Sequence, residues 1–247
     1  MSHSSPVTIA LAGNPNVGKS TLFNTLTGLR QHTGNWPGKT VQHAKGHFSY
    51  KGRDYTIIDL PGTYSLLSTS ADEEVARDYI VFEKPALTIV VLDATSIERN
   101  LNLALQVLEM TDQVILCINL IDEAKKKGIE IHEKVLMNQL GVPVIKISAR
   151  NKMGIDQLLD TIDRMINGTI TVSPYQVKYA SEIEEKVAQL APHIESIFGE
   201  DIPVRWLALR LLDGSESVVN AFLERKKRDQ EEGWMHDISY SANTQQL

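Results

Sequence analysis

Long apolar runs are the first thing this chain lacks. The longest, Leu87 to Leu92 and Val114 to Ile118, fall far short of the ~20 residues a helix needs to cross a bilayer, so no segment is expected to span a membrane. Cysteine is nearly absent: Cys117 stands alone inside an apolar run, which excludes an internal disulfide and fits a reducing, cytoplasmic setting. The amino terminus from Met1 to Val7 has no basic stretch leading into an apolar segment and a cleavage site, which argues against export. Positive charge is also scarce. With 25 Lys and Arg against 31 Asp and Glu, the formal charge is -6, and a nucleic-acid partner, which needs a basic surface to displace counterions, is not expected. No zinc spacing, dinucleotide fingerprint or Ser/His/Asp constellation is found.

What is present is ample material for a core, since 42% of 247 residues are hydrophobic, enough for one large domain or two modest ones. Through roughly the first two thirds, β-branched apolar runs alternate with helical patterns, as in strand-helix-strand units that build a mostly parallel sheet. Val7 to Ala12 reads as a buried strand, and after a glycine-rich turn a helix runs from about Ser20 to Thr27 and stops before Gly28. Gly46 to Tyr50 and Tyr55 to Ile58 read as strands joined through Lys51-Gly52-Arg53, a hairpin that gives the sheet an antiparallel edge. Leu87 to Asp93, Val114 to Asn119 and Val144 to Ser148 complete the predicted strands, and Leu101, Leu105 and Leu108 supply the apolar stripe of one intervening helix. A helix carrying Ile155, Leu158, Leu159, Ile162 and Met165 closes the pattern near Gly168.

Beyond Tyr179 only helical spacing continues: Ile183, Val187, Leu190 and Ile194, then Trp206 to Leu212, then Val218 to Leu223. The Thr-rich stretch Gly168 to Pro174 is the expected boundary. The organisation predicted is an α/β domain over residues 1–168 and a small all-α domain over 169–247 that ends in a charged and polar tail.

Gly13-Asn14-Pro15-Asn16-Val17-Gly18-Lys19-Ser20 fits G-x-x-x-x-G-K-[ST] between a predicted strand and a predicted helix. In such a turn successive backbone N–H groups point at phosphate oxygens, and the helix dipole favours the anion. Lys19 would reach the β- and γ-phosphates, and Ser20, with Thr21 next to it, would bring a hydroxyl to magnesium. A turn that merely joins strand to helix is the plainer reading, and the flanking elements argue against it. Asp59-Leu60-Pro61-Gly62 follows the strand Tyr55 to Ile58, where a carboxylate reaches magnesium through a water and a glycine N–H senses the γ-phosphate. Asn119-Leu120-Ile121-Asp122 follows a third strand and addresses the base. Asp122 can accept from N1–H and the exocyclic amine of guanine, whereas adenine offers neither and would leave a buried acceptor unpaired at about 1–3 kcal/mol. The alternative for this tetrad is a helix cap followed by a solvated acid. Ser148-Ala149-Arg150 after the last strand adds a backbone N–H for guanine O6.

In this order the four elements resemble the translation-factor-related GTPases of the P-loop class over Val7 to Gly168. The resemblance implies a P-loop NTPase fold with the doubly wound sheet of a Ras-like G domain. More narrowly, the chain is similar to the amino-terminal cytosolic part of the FeoB family of bacterial ferrous-iron transporters. The residues that carry this are Gly13-Asn14-Pro15-Asn16, Gly34-Asn35-Trp36-Pro37-Gly38 before Thr40-Val41, Asp59 through Leu66, and Arg205 through Leu212. The resemblance implies GTP and GDP as ligands, with Thr40 as the first-switch threonine that binds magnesium while the γ-phosphate is present. Gly34 to Gly38 would be a mobile loop, and Trp36 as an anchor packed on the core is the other reading of that segment.

Thr63 stands where many signalling GTPases place a water-orienting glutamine, so hydrolysis is expected to be slow. The family resemblance implies potassium as an activator with Asn16 as its ligand, against an equal alternative in which Asn16 stabilises the turn. Leu120 replaces the usual lysine, keeps apolar cover over the base, and implies weak, self-exchanging nucleotide binding, with the helical domain favouring GDP retention. The catalytic set implied is Lys19, Asn16, Thr40 and Gly62, with Ser20, Thr40 and Asp59 on magnesium and Gly38 beside the nucleotide.

The function so implied is a GTP-hydrolysing module at the inner face of the cell membrane that regulates or drives ferrous-iron uptake. Its partner would be a transmembrane iron-permease portion in the same or a separate chain, and homo-oligomerisation is left open. The alternatives are a ribosome-assembly GTPase, which the acidic balance counts against, and a GTP-binding switch without turnover, which Thr63 favours. His43 with His47, and Glu130-Ile131-His132-Glu133, have spacings that could chelate iron, although such side chains are more often solvated surface groups.

Overall fold

A computed structural model of the chain describes residues 6–29, 31–36, 41–67, 70–199 and 201–228. In chain order the elements are β1 (Val7–Gly13), α1 (Lys19–Thr27), β2 (Gln31–Asn35), β3 (Gln42–Tyr50), β4 (Arg53–Asp59), α2 (Ala71–Asp78), β5 (Leu87–Asp93), α3 (Ile97–Met110), β6 (Val114–Asn119), α4 (Ile121–Lys126), α5 (Glu133–Leu140), β7 (Val144–Lys146), α6 (Ile155–Ile166), α7 (Ser181–Phe198) and α8 (Val204–Leu212). Residues 216–228 are also helical. Two compact units divide between Val177 and Lys178.

The first unit is a seven-stranded sheet in the order β2-β3-β4-β1-β5-β6-β7. β1 lies in the middle and pairs in parallel with both β4 and β5, so the strand order reverses around it. In open α/β sheets the crevice beyond the carboxyl ends of the strands at that reversal is where ligands bind. β5, β6 and β7 continue in parallel, while β3 and β2 form the antiparallel edge. β6 is buried along its whole length and β5 as far as Leu92, as continuous apolar strands covered on both faces must be. One core layer gathers Ile9, Leu11, Phe23, Ile57, Ile89, Ile115, Leu158 and Ile162 between the sheet, α1 and α6.

The β3–β4 hairpin turns on Lys51 and Gly52, both with positive φ (47° and 78°), the twist-matched two-residue turn that favours glycine at its second position. It sets Phe48 opposite Tyr55, whose rings stack at 5.0 Å. Several elements differ from the sequence pattern. The residues Gln31 to Asn35, expected in part as loop, form the edge strand β2, because β3 extends back to Gln42 and offers it a ladder. α2 and α5 have no counterpart in the sequence pattern, and α4 corresponds to the helix of the alternative reading of the 119–122 tetrad, with Asp122 in its first turn. α2 is a charged helix whose start is fixed by the Ser70 side chain accepting from the Glu73 N–H at 3.3 Å, and it runs on into a π-helical turn, Tyr79–Glu83. In α3 the inward stripe is Asn100, Leu103, Ala104, Val107 and Leu108, with Leu101 and Leu105 only half-buried at its margins. β7 ends at Lys146, two residues early, because Ser148 pairs instead with Met153.

The segment after α6 is fastened to the first unit. Ile170 and Val172 pack on the core, and the Ser173 and Tyr175 N–H groups donate to Gly141 and Leu140 at 2.9 and 3.0 Å. Gly141 makes this possible: its φ is +68°, and an added Cβ would lie 1.7 Å from the Ser173 carbonyl oxygen. Gly141→Ala should therefore cost more stability than Gly52→Ala. The latter meets open space and bears only the left-handed backbone penalty of about 1–2 kcal/mol, and the former adds overpacking of about 1–3 kcal/mol. Urea denaturation of the two variants checks the order.

The second unit packs Val187 and Ile194 of α7, Trp206 to Leu209 of α8, and Val218 and Phe222 of the last helix into its own small core. Arg205 on α8 forks onto Glu184 of α7 with N–O distances of 2.6 and 2.8 Å, a bidentate pair whose geometry fixes the two helices in register. The guanidinium, helped by the Tyr179 N–H, holds the Glu184 carboxyl down at about 2 against an ordinary 4.5. The folded-state value is the lower one, so the stability this pair contributes is complete above pH 4.5 and fades as pH falls toward about 2. Glu184→Gln should flatten that acid loss, as followed by helical circular dichroism during denaturation across the same range.

Candidate functional site

β1 delivers the chain to Gly13, buried where an added Cβ would meet the Val91 carbonyl oxygen of β5 at 2.8 Å. From there the loop to Gly18 closes on α1, which starts at Lys19, and Gly18 enters the helix with a left-handed φ of 82°. Asn16 is exposed with φ 67°, a conformation asparagine tolerates better than most residues. Asn14 is buried, and neither end of its side-chain amide has a hydrogen-bond partner among the described residues. Ser20 and Thr21 stand exposed on the first turn of α1, where helix N–H groups and the dipole favour an anion.

The end of β4 lies alongside. The Leu60 N–H donates to Leu11 at 3.0 Å and the Thr63 N–H to Gly13 at 3.3 Å, while Gly62 sits so close to Pro15 that an added Cβ would lie 3.4 Å from its Cα. Lys19 pairs with the Asp59 carboxylate and donates to the Leu60 carbonyl at 2.6 Å. Burial pushes the Asp59 carboxyl above its ordinary range, and the Lys19 ammonium offsets part of that rise. Ser20 and Asp59 together are hard oxygen donors of the kind magnesium takes. Thr63 is buried, with its N–H already engaged. Pro61 is half-buried between Leu60 and Gly62.

On the other side, β6 ends in Asn119, 1% exposed, and its amide bridges two loops. Its Nδ2 donates to the Val17 carbonyl at 2.9 Å and its Oδ1 accepts from the Ala149 N–H at 3.0 Å. A Cβ on Gly18 would lie 2.3 Å from that Nδ2, so glycine is needed there for space as well as for φ. Leu120 follows with φ 64°, a strained conformation for leucine, and caps α4 by accepting from Glu123 and Ala124 at 3.0 Å each. Asp122, on the first turn of α4, is held ionised below its ordinary value, chiefly by the Ser148 hydroxyl. Asn151 braces both, donating to the Asp122 carboxylate at 3.2 Å and to Ser148 Oγ at 3.0 Å. In the loop 148–150 the Ser148 N–H is donated to Met153 and the Ala149 N–H to Asn119, leaving the N–H of exposed Arg150 without a partner among the described residues.

Thus Gly13 to Thr21, Asp59 to Gly62, Asn119 to Asp122 and Ser148 to Arg150 all lie at the carboxyl ends of β1, β4, β6 and β7. Gly38 and Thr40 lie outside the described residues. Trp36, next to them, packs its ring on His43 and Tyr79 at centroid distances of 5.0 and 5.1 Å. Burial, with Glu83 nearby, pushes the Tyr79 hydroxyl up to about 12. His43 is thereby taken up by an aromatic cluster, His47 meets the Thr56 hydroxyl at 3.1 Å, and Glu133 pairs with Lys146 at 2.7 Å. Among the described residues no group of three His, Cys, Asp or Glu is placed to hold a metal ion. Cys117 is fully buried in β6, which pushes its thiol up and leaves it inert. Asn151 and the Ala149–Asn119 bond were not foreseen from spacing.

The fold and this set of loops define a P-loop domain of the G-protein type. The profile described as Ferrous iron transport protein B matches residues 7–162, and that of the FeoB cytosolic helical domain matches residues 179–234. This chain belongs to the FeoB family. It is 42% identical over 216 residues to the Fe(2+) transporter FeoB of Escherichia coli strain K12, a match covering 84% of this chain and 27% of that protein. The chain thus spans about a quarter of the length of the curated relatives it matches. Among solved structures it is similar to the cytosolic domain of the T. maritima FeoB iron transporter in a GDP form, with TM-score 0.80, 38% identity, and 89% and 85% of the two chains covered. The GMPPNP form of that domain gives 0.78 at 37% identity, covering 88% and 85%. The cytosolic domain of L. pneumophila FeoB gives 0.79 at 32% identity, covering 88% and 87%.

Asn119→Ala should leave the Val17 carbonyl and Ala149 N–H unpaired and lower the unfolding free energy by about 2 kcal/mol or more, as read by urea denaturation of the nucleotide-free chain.

Proposed function

We propose that this chain is the GTP-binding and GTP-hydrolysing module of a ferrous-iron transport protein. It would work at the cytoplasmic face of the membrane on an iron-permease portion, with residues 1–168 binding nucleotide and 169–247 governing its retention. The observation that carries this reading is the Asn119 bridge, which fixes the phosphate loop to the 148–150 loop while Asp122, held ionised by Ser148 and Asn151, stands at the same strand end.

In this reading backbone N–H groups of Asn14 and of Asn16 to Ser20, with the Lys19 ammonium, bind the β- and γ-phosphates, Lys19 exchanging Asp59 and the Leu60 carbonyl for phosphate oxygens. The Asp122 carboxylate accepts from guanine N1–H and the exocyclic amine, Leu120 covers the ring, and O6 takes a backbone N–H of the 148–150 loop. Ser20, Asp59 and Thr40 would hold magnesium, which supplies positive charge against the charge developing on the transferring phosphoryl group. Asn16 would hold potassium. Thr63 is too short to orient water as a glutamine does, and with its N–H donated to Gly13 it supports slow turnover. The same observation favours a second reading, a GTP-binding switch with little turnover.

Calorimetry and a phosphate-release assay test these roles. GTP and GDP should bind at least about tenfold more tightly than ATP, and Asp122→Ala should erase the preference, since a hydrogen bond to a charged group is worth about 1.5–3 kcal/mol. Turnover should rise in potassium over sodium and lose that rise in Asn16→Ala. Equal binding of ATP overturns the GTP reading, and negligible turnover in either salt selects the switch.

A further inference from the structure

The segment after Gly62 is held from two sides. Toward β1 it is tied by the Thr63 N–H on Gly13 and by the contact of Gly62 with Pro15. Toward α3 it is tied by two side chains that no sequence motif marks. The Gln106 Oε1 accepts from the Leu66 N–H at 2.6 Å and from the Ser65 hydroxyl at 3.3 Å. Arg99 sets its guanidinium over the Tyr64 ring, 4.4 Å from the centroid. Arg99 and Gln106 lie two helical turns apart and share a face of α3.

α3 is a firm base for such a hold. Asn100, almost fully buried, accepts from the Asp93 N–H at 2.8 Å and donates to the Ser96 carbonyl at 3.1 Å, which pins the start of α3 to the end of β5. The next residue, Ala94, donates to the Asn119 carbonyl at 2.9 Å, so that end of β5 is fastened to the end of β6. Leu103, Ala104, Val107 and Leu108 are buried along the adjoining face of the helix. Leu66 is itself buried, whereas Tyr64 is 44% exposed and is placed by Arg99 rather than by burial.

We propose that Gln106 and Arg99 are positioning residues for GTP hydrolysis. Without touching nucleotide, they hold Tyr64 to Leu66 so that Gly62 and Thr63 stay against the phosphate loop. Gln106 acts through an acceptor oxygen and Arg99 through a cation on an aromatic face. The inference rests on the GTPase reading above.

The test uses the full 247-residue chain. Gln106→Leu should lower kcat about tenfold, while KM for GTP and affinity for GDP stay within about twofold, because only transition-state positioning is lost. Hydrogen exchange at the Leu66 amide should rise about tenfold in the same variant as its acceptor disappears. Gln106→Glu keeps an acceptor oxygen and should restore both the rate and the protection. Arg99 is exposed, so Arg99→Ala should fold and should also lower kcat, with Arg99→Lys retaining most of it. Wild-type kcat in Gln106→Leu and Arg99→Ala overturns the proposal, as does an equal loss in Gln106→Leu and Gln106→Glu. A wild-type chain that binds GTP without turnover sinks the GTPase reading instead. The Leu66 amide then decides alone, and unchanged protection in Gln106→Leu overturns the inference.

Discussion

A single buried amide, that of Asn119, joins two loops that share no other hydrogen bond among the described residues. Asn119 serves Val17 and Ala149 at once because its planar amide carries a donor and an acceptor on one carbon, whereas aspartate lacks the donor and serine the reach. In a site with little water each of these bonds gains strength from its surroundings, and each would be costly to leave unmade. β6 makes the placement rigid, because it is buried throughout and locked to β5 over its length. The loop facing the proposed phosphates and the loop facing the proposed base are therefore one mechanical piece. Gly18 completes it, since any side chain there would occupy the space of the amide.

The opposite wall of the crevice is built from weaker and more exchangeable contacts. Lys19 holds Asp59 and Leu60, yet a buried ion pair gains little net stability once desolvation is counted, and burial already lifts the Asp59 carboxyl. Such a pair can change partners at small cost, which suits a lysine proposed to meet phosphate. The segment from Gly62 to Leu66 is likewise held by single hydrogen bonds to elements on either side, and Trp36 by ring contacts to β3 and the turn after α2. A rigid pair of loops on one wall and exchangeable contacts on the other are what a domain needs if the presence of one phosphoryl group is to be read as a change of shape.

The strands of the sheet were legible because β5 and β6 are continuous apolar runs and the β3–β4 turn carries glycine at a fixed offset. The P-loop, Asp59-Leu60-Pro61-Gly62 and Asn119-Leu120-Ile121-Asp122 were legible because each sits at a strand end in a fixed order. β2 was not, since Gln31 to Asn35 carries no apolar alternation and is a strand only because β3 lends it hydrogen bonds. α2 was hidden by its acidic first turn, although Ser70 and Glu73 carry the spacing of a cap. In α3 the leucines gave a stripe rotated from the true one, because Asn100 and Ala104, which face inward, do not score as apolar anchors. Gln106, Arg99 and the bond of Asn151 to Asp122 reach residues distant in sequence, and no local pattern encodes such a contact. The fastening of Ile170 to Tyr175 onto the first unit was equally invisible, as it depends on the room that Gly141 leaves.

Leu120 has a further consequence for anyone who would stabilise this molecule. Its left-handed backbone, a conformation that Leu29 also adopts, is a local flaw in the first unit, and a protein engineer optimising each position for its own dihedral angles would replace it with glycine or asparagine. The swap would harden the scaffold while stripping the greasy lid that Leu120 is proposed to place over the ring of the base. Thermal robustness and ligand grip are thus set against each other at one peptide unit.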